Sequence, residues 1–112
     1  MRAGGLVIGA DNLFASRIEQ LAALALRHAV PTIYQTRDFA VAGGLLSYGT
    51  DFRETYRLAG IYTGRILKGE KPADLPVQQD NKVEFYINLK MAKTLGLNVP
   101  AAMQALADEM IE

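Results

Sequence analysis

The sequence predicts an α/β fold, a short parallel sheet with flanking helices, on three observations. Brief apolar runs of strand type, Leu6-Val7-Ile8, Val30-Pro31-Thr32-Ile33-Tyr34 and Leu45-Leu46-Ser47-Tyr48, are each bounded by glycine, proline or polar turns. A stretch of helical period lies between the first two, and strand, helix and strand in that order make a βαβ unit with parallel strands and a right-handed crossover. Half of the 112 residues are hydrophobic, which suits one domain with its own core.

Leu6-Val7-Ile8 starts after Gly4-Gly5 and stops at Gly9-Ala10-Asp11-Asn12, as expected of a strand buried on both faces. Phe14, Ile18, Leu21 and Ala25 then form one apolar stripe with Leu24 beside it, and Arg17, Gln20 and Arg27 take the other side. Asn12 is the expected N-cap, and Arg27-His28 complement the C-terminal dipole. Pro31 opens the second strand, because proline cannot sit in a strand's middle.

Residues 37–42 leave room for one short helical turn closed by Gly43-Gly44, and the third strand ends at Gly49. Thr50 or Asp51 caps a helix running to about Lys68, with Tyr56, Ala59, Tyr62 and Ile66 on one stripe and Gly69 as its left-handed stop. From Gly69 to Lys82 two prolines and several charges read as an extended surface crossing. Val83-Glu84-Phe85-Tyr86-Ile87 alternates as a half-buried strand. Asn88 caps a short helix ended by Gly96, and Pro100 opens a last helix bearing Met103, Leu106 and Met110.

Charge and motifs exclude several functions. Twelve basic residues balance twelve acidic ones without a concentrated basic patch, so neither nucleic acid nor an anionic lipid surface is the expected partner. The absence of cysteine removes disulfides, zinc ribbons and thiol catalysis. No run is long and apolar enough for a membrane span, and Met1-Arg2-Ala3-Gly4-Gly5 leads into a strand-like run instead of an export signal. The glycine pairs precede strands instead of following them, unlike phosphate-binding loops. Ser47 lacks the leading glycine of a nucleophile elbow, and His28 has no second histidine to work with. No catalytic residue, metal site or cofactor is expected.

Two polar strand ends remain. Ligands of open α/β sheets bind at the carboxyl edge of the strands, which is where Gly9-Ala10-Asp11-Asn12 lies. Asp11 could accept from an ammonium or hydroxyl group and Asn12 could donate to a carboxylate; equally, Asn12 could merely cap the helix with Asp11 in solvent. Tyr48-Gly49-Thr50-Asp51 is the second such end. It reads either as a turn with an N-cap or as a place where Tyr48 stacks on a small ligand, and Tyr34 is a lesser candidate of the same kind.

Three ordered motifs carry a family resemblance: Gly43-Gly44-Leu45-Leu46-Ser47-Tyr48-Gly49, the run from Arg65-Ile66-Leu67-Lys68-Gly69 through Pro72 to Leu75-Pro76-Val77, and Ile87-Asn88-Leu89-Lys90-Met91-Ala92-Lys93-Thr94-Leu95-Gly96-Leu97. Together they resemble the C-terminal part of the ABC transporter substrate-binding proteins of the tryptophan/tyrosine type, which have the type I periplasmic-binding fold. The resemblance covers essentially the whole chain. It implies a partial periplasmic-binding-protein-like (Rossmann-like) lobe that begins about two-thirds of the way along the family pattern. Residues 1–49 would supply the βαβ unit and third strand of that lobe, and residues 50–112 the hinge crossing, helix, return linker through Leu75 to Asn81, strand and C-terminal helices, as one incomplete domain. Asp11, Asn12, Tyr48 and Asp51 would border a cleft between lobes holding a small, amino-acid-like organic solute, without chemistry. The implied partner is an ABC transporter permease, and the implied location periplasmic or cell-envelope. The alternative is a stand-alone flavodoxin-like interaction or regulatory module. The stripe on the 51–68 helix further predicts a homo-oligomer, because exposing it would cost several kcal/mol at roughly 25 cal/mol per Å².

Overall fold

The computed structural model describes residues 3–79 and 82–112. The chain divides into two compact units, Met1–Gly49 with Val83–Glu112, and Thr50–Lys82. Asp80 and Asn81, at the end of the expected return crossing, lie outside the described residues.

The larger unit is an α/β layer with a five-stranded sheet in the order β1 (Leu6–Val7), β2 (Thr32–Tyr34), β3 (Leu46–Thr50), β4 (Val83–Asn88) and β5 (Glu109–Ile111). β1, β2 and β3 are parallel, with Val7 beside Ile33 and Tyr34 beside Ser47. β4 and β5 are parallel to each other, with Tyr86 beside Glu109. The Asn88 N–H donates to the Leu45 carbonyl at 2.8 Å and the Asp51 N–H to the Lys82 carbonyl at 3.4 Å. One residue number falls as the other rises, so β4 runs antiparallel to β3 and Ser47 stands opposite Tyr86.

Between β1 and β2 the expected single helix is two, α1 (Asn12–Ala15) and α2 (Ile18–Arg27). The Ser16 hydroxyl donates to the Leu13 carbonyl at 2.8 Å and Arg17 leaves helical geometry at φ −121°, which ends the first helix while the apolar period runs on. The N-cap is Asp11, not Asn12. After β2 comes α3 (Arg37–Val41), as the spacing predicts. Phe39, fully buried, meets Tyr34 edge to face at 5.8 Å and packs with Ala22, Ile8, Ile18 and Leu21. A second cluster gathers Leu46, Leu95 and Val99 around Leu45, Met91 and Ala92.

β1 is not buried on both faces: Leu6 and Val7 are exposed, Val7 by 79%. It is an edge strand with one paired side, and its apolar run does not reveal that position. Beyond β4, Asn88 caps α5 (Leu89–Thr94) by accepting from the Met91 N–H at 2.9 Å, and its amide donates to the Ala40 carbonyl at 2.8 Å. α6 (Ala101–Leu106) follows Pro100 but ends before Met110, which lies in β5. Ala107 turns to an extended conformation, and the Asp108 N–H donates to the Phe85 carbonyl while its carboxylate accepts from the Phe85 N–H at 2.7 Å. The last segment is therefore recruited to the sheet.

In the smaller unit α4 (Phe52–Leu67) is capped by Asp51 and closed by Gly69 at φ +108°, a conformation that side chains with a Cβ seldom adopt. A 3₁₀ turn (Pro72–Asp74) follows. The Tyr62 hydroxyl donates to the Pro76 carbonyl, holding the return segment against the helix.

Candidate functional site

Because β1, β2 and β3 run the same way, their carboxyl ends share one edge of the larger unit. Three segments lie at it: Gly9-Ala10-Asp11-Asn12 and Gln35-Thr36-Arg37, which leave β1 and β2, and Tyr48-Gly49 near the end of β3. The first and last flank β2, so they stand about 10 Å apart at ordinary strand spacing. That span matches a small organic molecule.

Asp11 is exposed, and one of its carboxylate oxygens accepts from the Leu13 N–H at 2.8 Å. Its second oxygen has no hydrogen bond among the described residues. Asn12 is exposed, and its main-chain carbonyl accepts from Ser16. Tyr48 is 59% exposed, with its ring edge to face on Phe85 at 6.0 Å and 72°. The pair forms an aromatic shelf whose outer ring is open to stacking. Gly49 is required beside it, since a Cβ there would lie 2.2 Å from the Gln35 carbonyl oxygen.

Asp51 belongs to the smaller unit and is buried. Its carboxylate accepts from the Arg53 N–H at 3.0 Å and meets the Arg53 guanidinium at 3.3 Å and the Lys82 ammonium at 3.6 Å. These contacts are those of a helix cap. Tyr34 is turned into the core at 2% exposure, because its position alternates onto the face that α2 and α3 cover.

Sequence reasoning missed Arg37. It follows β2 at the same edge, and its guanidinium forks onto Glu109 at 3.0–3.2 Å and lies 5.4 Å over the Tyr86 ring. Hydrogen bonds to Glu109 hold its pKa above the usual arginine value. Its strand-end position was visible in the sequence, but its partner 72 residues away was not. Two open depressions elsewhere in this unit, about 760 Å³ beside Ser16, Glu19 and Asp38 and about 380 Å³ beside Leu26, Asn88 and Ile111, are not lined by Asp11, Asn12 or Tyr48.

The edge supplies a carboxylate oxygen, an amide, a phenol and an aromatic face. The Ser47 hydroxyl is buried with no base bonded to it, and His28 is exposed at the end of α2. Among the described residues no three His, Asp or Glu side chains gather as a metal site, and no helix is long and apolar enough to cross a membrane.

A mixed α/β layer with a polar edge at the carboxyl ends of its parallel strands is a scaffold of the kind on which open-sheet proteins bind small molecules. The chain belongs to the ABC transporter substrate binding protein family, whose model matches residues 2–111. Among solved structures it is similar to the ABC domain in complex with L-Trp from Streptococcus pneumonia, with 26% identity and a TM-score of 0.87 over 98% of this chain and 37% of that one. It is also similar to a conserved domain protein from Vibrio cholerae O1 biovar El Tor, with 29% identity and a TM-score of 0.82 over 93% of this chain and 34% of that one. A third likeness, with 25% identity and a TM-score of 0.56 over 86% of this chain, is to the ligand-free, open structure of a substrate binding protein with adhesive properties from Clostridium difficile, of which 33% is covered. The chain thus spans about a third of the length of these structures. No curated protein matches it.

Proposed function

We propose that this chain is the C-terminal part of an ABC importer's solute-binding protein and that its carboxyl edge contacts a small amino-acid-like solute, without chemistry. The observation that carries the reading is the convergence of three parallel strand ends on one edge bearing exposed Asp11, Asn12 and Tyr48. The tryptophan held by the pneumococcal relative supports an amino-acid solute. In this reading Asp11 accepts from the solute's ammonium group, Asn12 meets its carboxylate, and Tyr48 stacks on its side chain. Asp51 makes no solute contact in this reading, since its carboxylate is engaged in capping α4 and in meeting Lys82. The partner is an ABC permease and the location periplasmic or cell-envelope.

The chain also associates with copies of itself through α4, on which no residue is fully buried and Tyr56 and Ile66 are exposed. A mass near 12.2 kDa by light scattering at micromolar concentration overturns that part.

The solute reading is tested on the 112-residue chain by amide chemical-shift mapping with L-tryptophan and a panel of other amino acids. One wall of contacts gives weak binding, so the titration extends through ~1 mM, a Kd equivalent to about 4 kcal/mol. Shifts should gather at Gly9–Leu13 and Tyr48–Gly49 and vanish in Asp11→Ala with Tyr48→Ala. Shifts confined to other surfaces, or persisting in that variant, refute the site.

A further inference from the structure

We infer that Tyr34, Thr36 and Ser47 hold ordered water beneath the carboxyl edge of the sheet. The hydroxyls of all three are shut off from solvent and have no hydrogen-bond partner among the described residues. Tyr34 and Ser47 are 2% and 1% exposed as whole residues.

Two of them share a face. Tyr34 and Ser47 are register partners on parallel strands, so their side chains leave the same face of the sheet. Thr36 lies two residues beyond Tyr34, and Tyr86 stands opposite Ser47 on its other side. Much of what covers this face is apolar: Phe39 lies edge to face on Tyr34, and Ala22 packs with both. Thr36 occupies the N-cap position of α3, where a threonine hydroxyl ordinarily accepts from the helix, yet it makes no such bond.

A hydroxyl taken out of water without a partner costs as much as a lost hydrogen bond, and native proteins rarely leave one so, let alone three at the ends of two neighbouring strands. Each of these groups can both donate and accept, which matches water better than an ion. A buried anion or cation would also need a countercharge, and the nearby Arg37 is committed to Glu109. Water that makes two or more bonds here becomes part of the structure and stiffens the ends of β2 and β3 under Tyr48.

The test uses the unmodified chain together with Ser47→Ala, Thr36→Val and Tyr34→Phe. Nuclear Overhauser transfer from long-lived water to the amides of Tyr34, Thr36 and Ser47 is expected in the parent chain and lost in the variants. Thermal midpoints should fall by roughly 4–8 °C per bridging hydroxyl removed. Ser47→Ala is the smallest change and stands alone if the other two fail to fold. An unchanged or raised midpoint in Ser47→Ala shows that its hydroxyl is an uncompensated burden and overturns the inference, as does the absence of water transfer in the parent.

Discussion

Replacing Gly49 by alanine places a methyl group 2.2 Å from the Gln35 carbonyl oxygen, 3.0 Å from its carbon and 3.1 Å from the Gln35 Cα. Ordinary contact begins at 3.4 Å, so the two backbones must part by about 1.2 Å. Neither can turn aside as a side chain would, because both belong to the β2–β3 edge, where Tyr34 and Ser47 stand side by side. Overpacking of this kind costs about 1–3 kcal/mol, which outweighs the ~0.5–1 kcal/mol that removing a strand glycine otherwise returns. The net cost of about 0.5–2 kcal/mol, at roughly 4–8 °C per kcal/mol, should lower the midpoint of thermal unfolding followed by circular dichroism by about 2–16 °C. Gly60→Ala is the control, since nothing lies within 4 Å of its added methyl group and α4 should gain about 0.5–1 kcal/mol. A Gly49→Ala chain that melts with its parent refutes the close approach of β3 to Gln35.

Asp51→Ala removes the cap of α4 and should cost about 0.5–2 kcal/mol, seen as lost helical ellipticity on mild heating. Asn88→Leu leaves the Ala40 carbonyl and the Met91 N–H without their partner in the interior, so its denaturation midpoint should drop by the equivalent of about 2–4 kcal/mol. Arg37→Met breaks a half-exposed ion pair and should change stability by about 1 kcal/mol or less, with the difference shrinking in high salt. Tyr48→Ala should leave the melting temperature almost unchanged because the ring is mostly exposed, while weakening solute-induced amide shifts.

Much of this fold was legible because its signals are local. Helical period, the acidic and amide caps at Asp51 and Asn88, and the stop at Gly69 each concern residues within one or two turns of each other. What escaped depends on distant partners. Leu6-Val7-Ile8 has the composition of a central strand, and only the sheet order makes it an edge. Met110 continues a helical spacing from Met103, but Ile87 in β4 claims it for pairing. At the candidate site, Asp11 and Tyr48 could be named from strand-end position, as could Arg37 had the rule been applied to β2. The Arg37–Glu109 fork depends on β5, the strand the sequence did not disclose.

The antiparallel neighbours β3 and β4 also bear on how the chain could be cut and rejoined. Opposed residues on such strands stand about 5 Å apart, so the excursion from Thr50 to Lys82 starts and finishes at nearly the same point. An Asn-Gly hairpin turn could bridge that gap. Shortening the connection from about 30 residues to about 4 removes close to three doublings of loop length, or about 2 kcal/mol of closure entropy. The sheet would then nucleate β3 on β4 as a local hairpin, with faster folding than the natural order of contacts allows. The same junction would accept a foreign insert between its two strands, which makes the five-stranded unit a host for grafted segments.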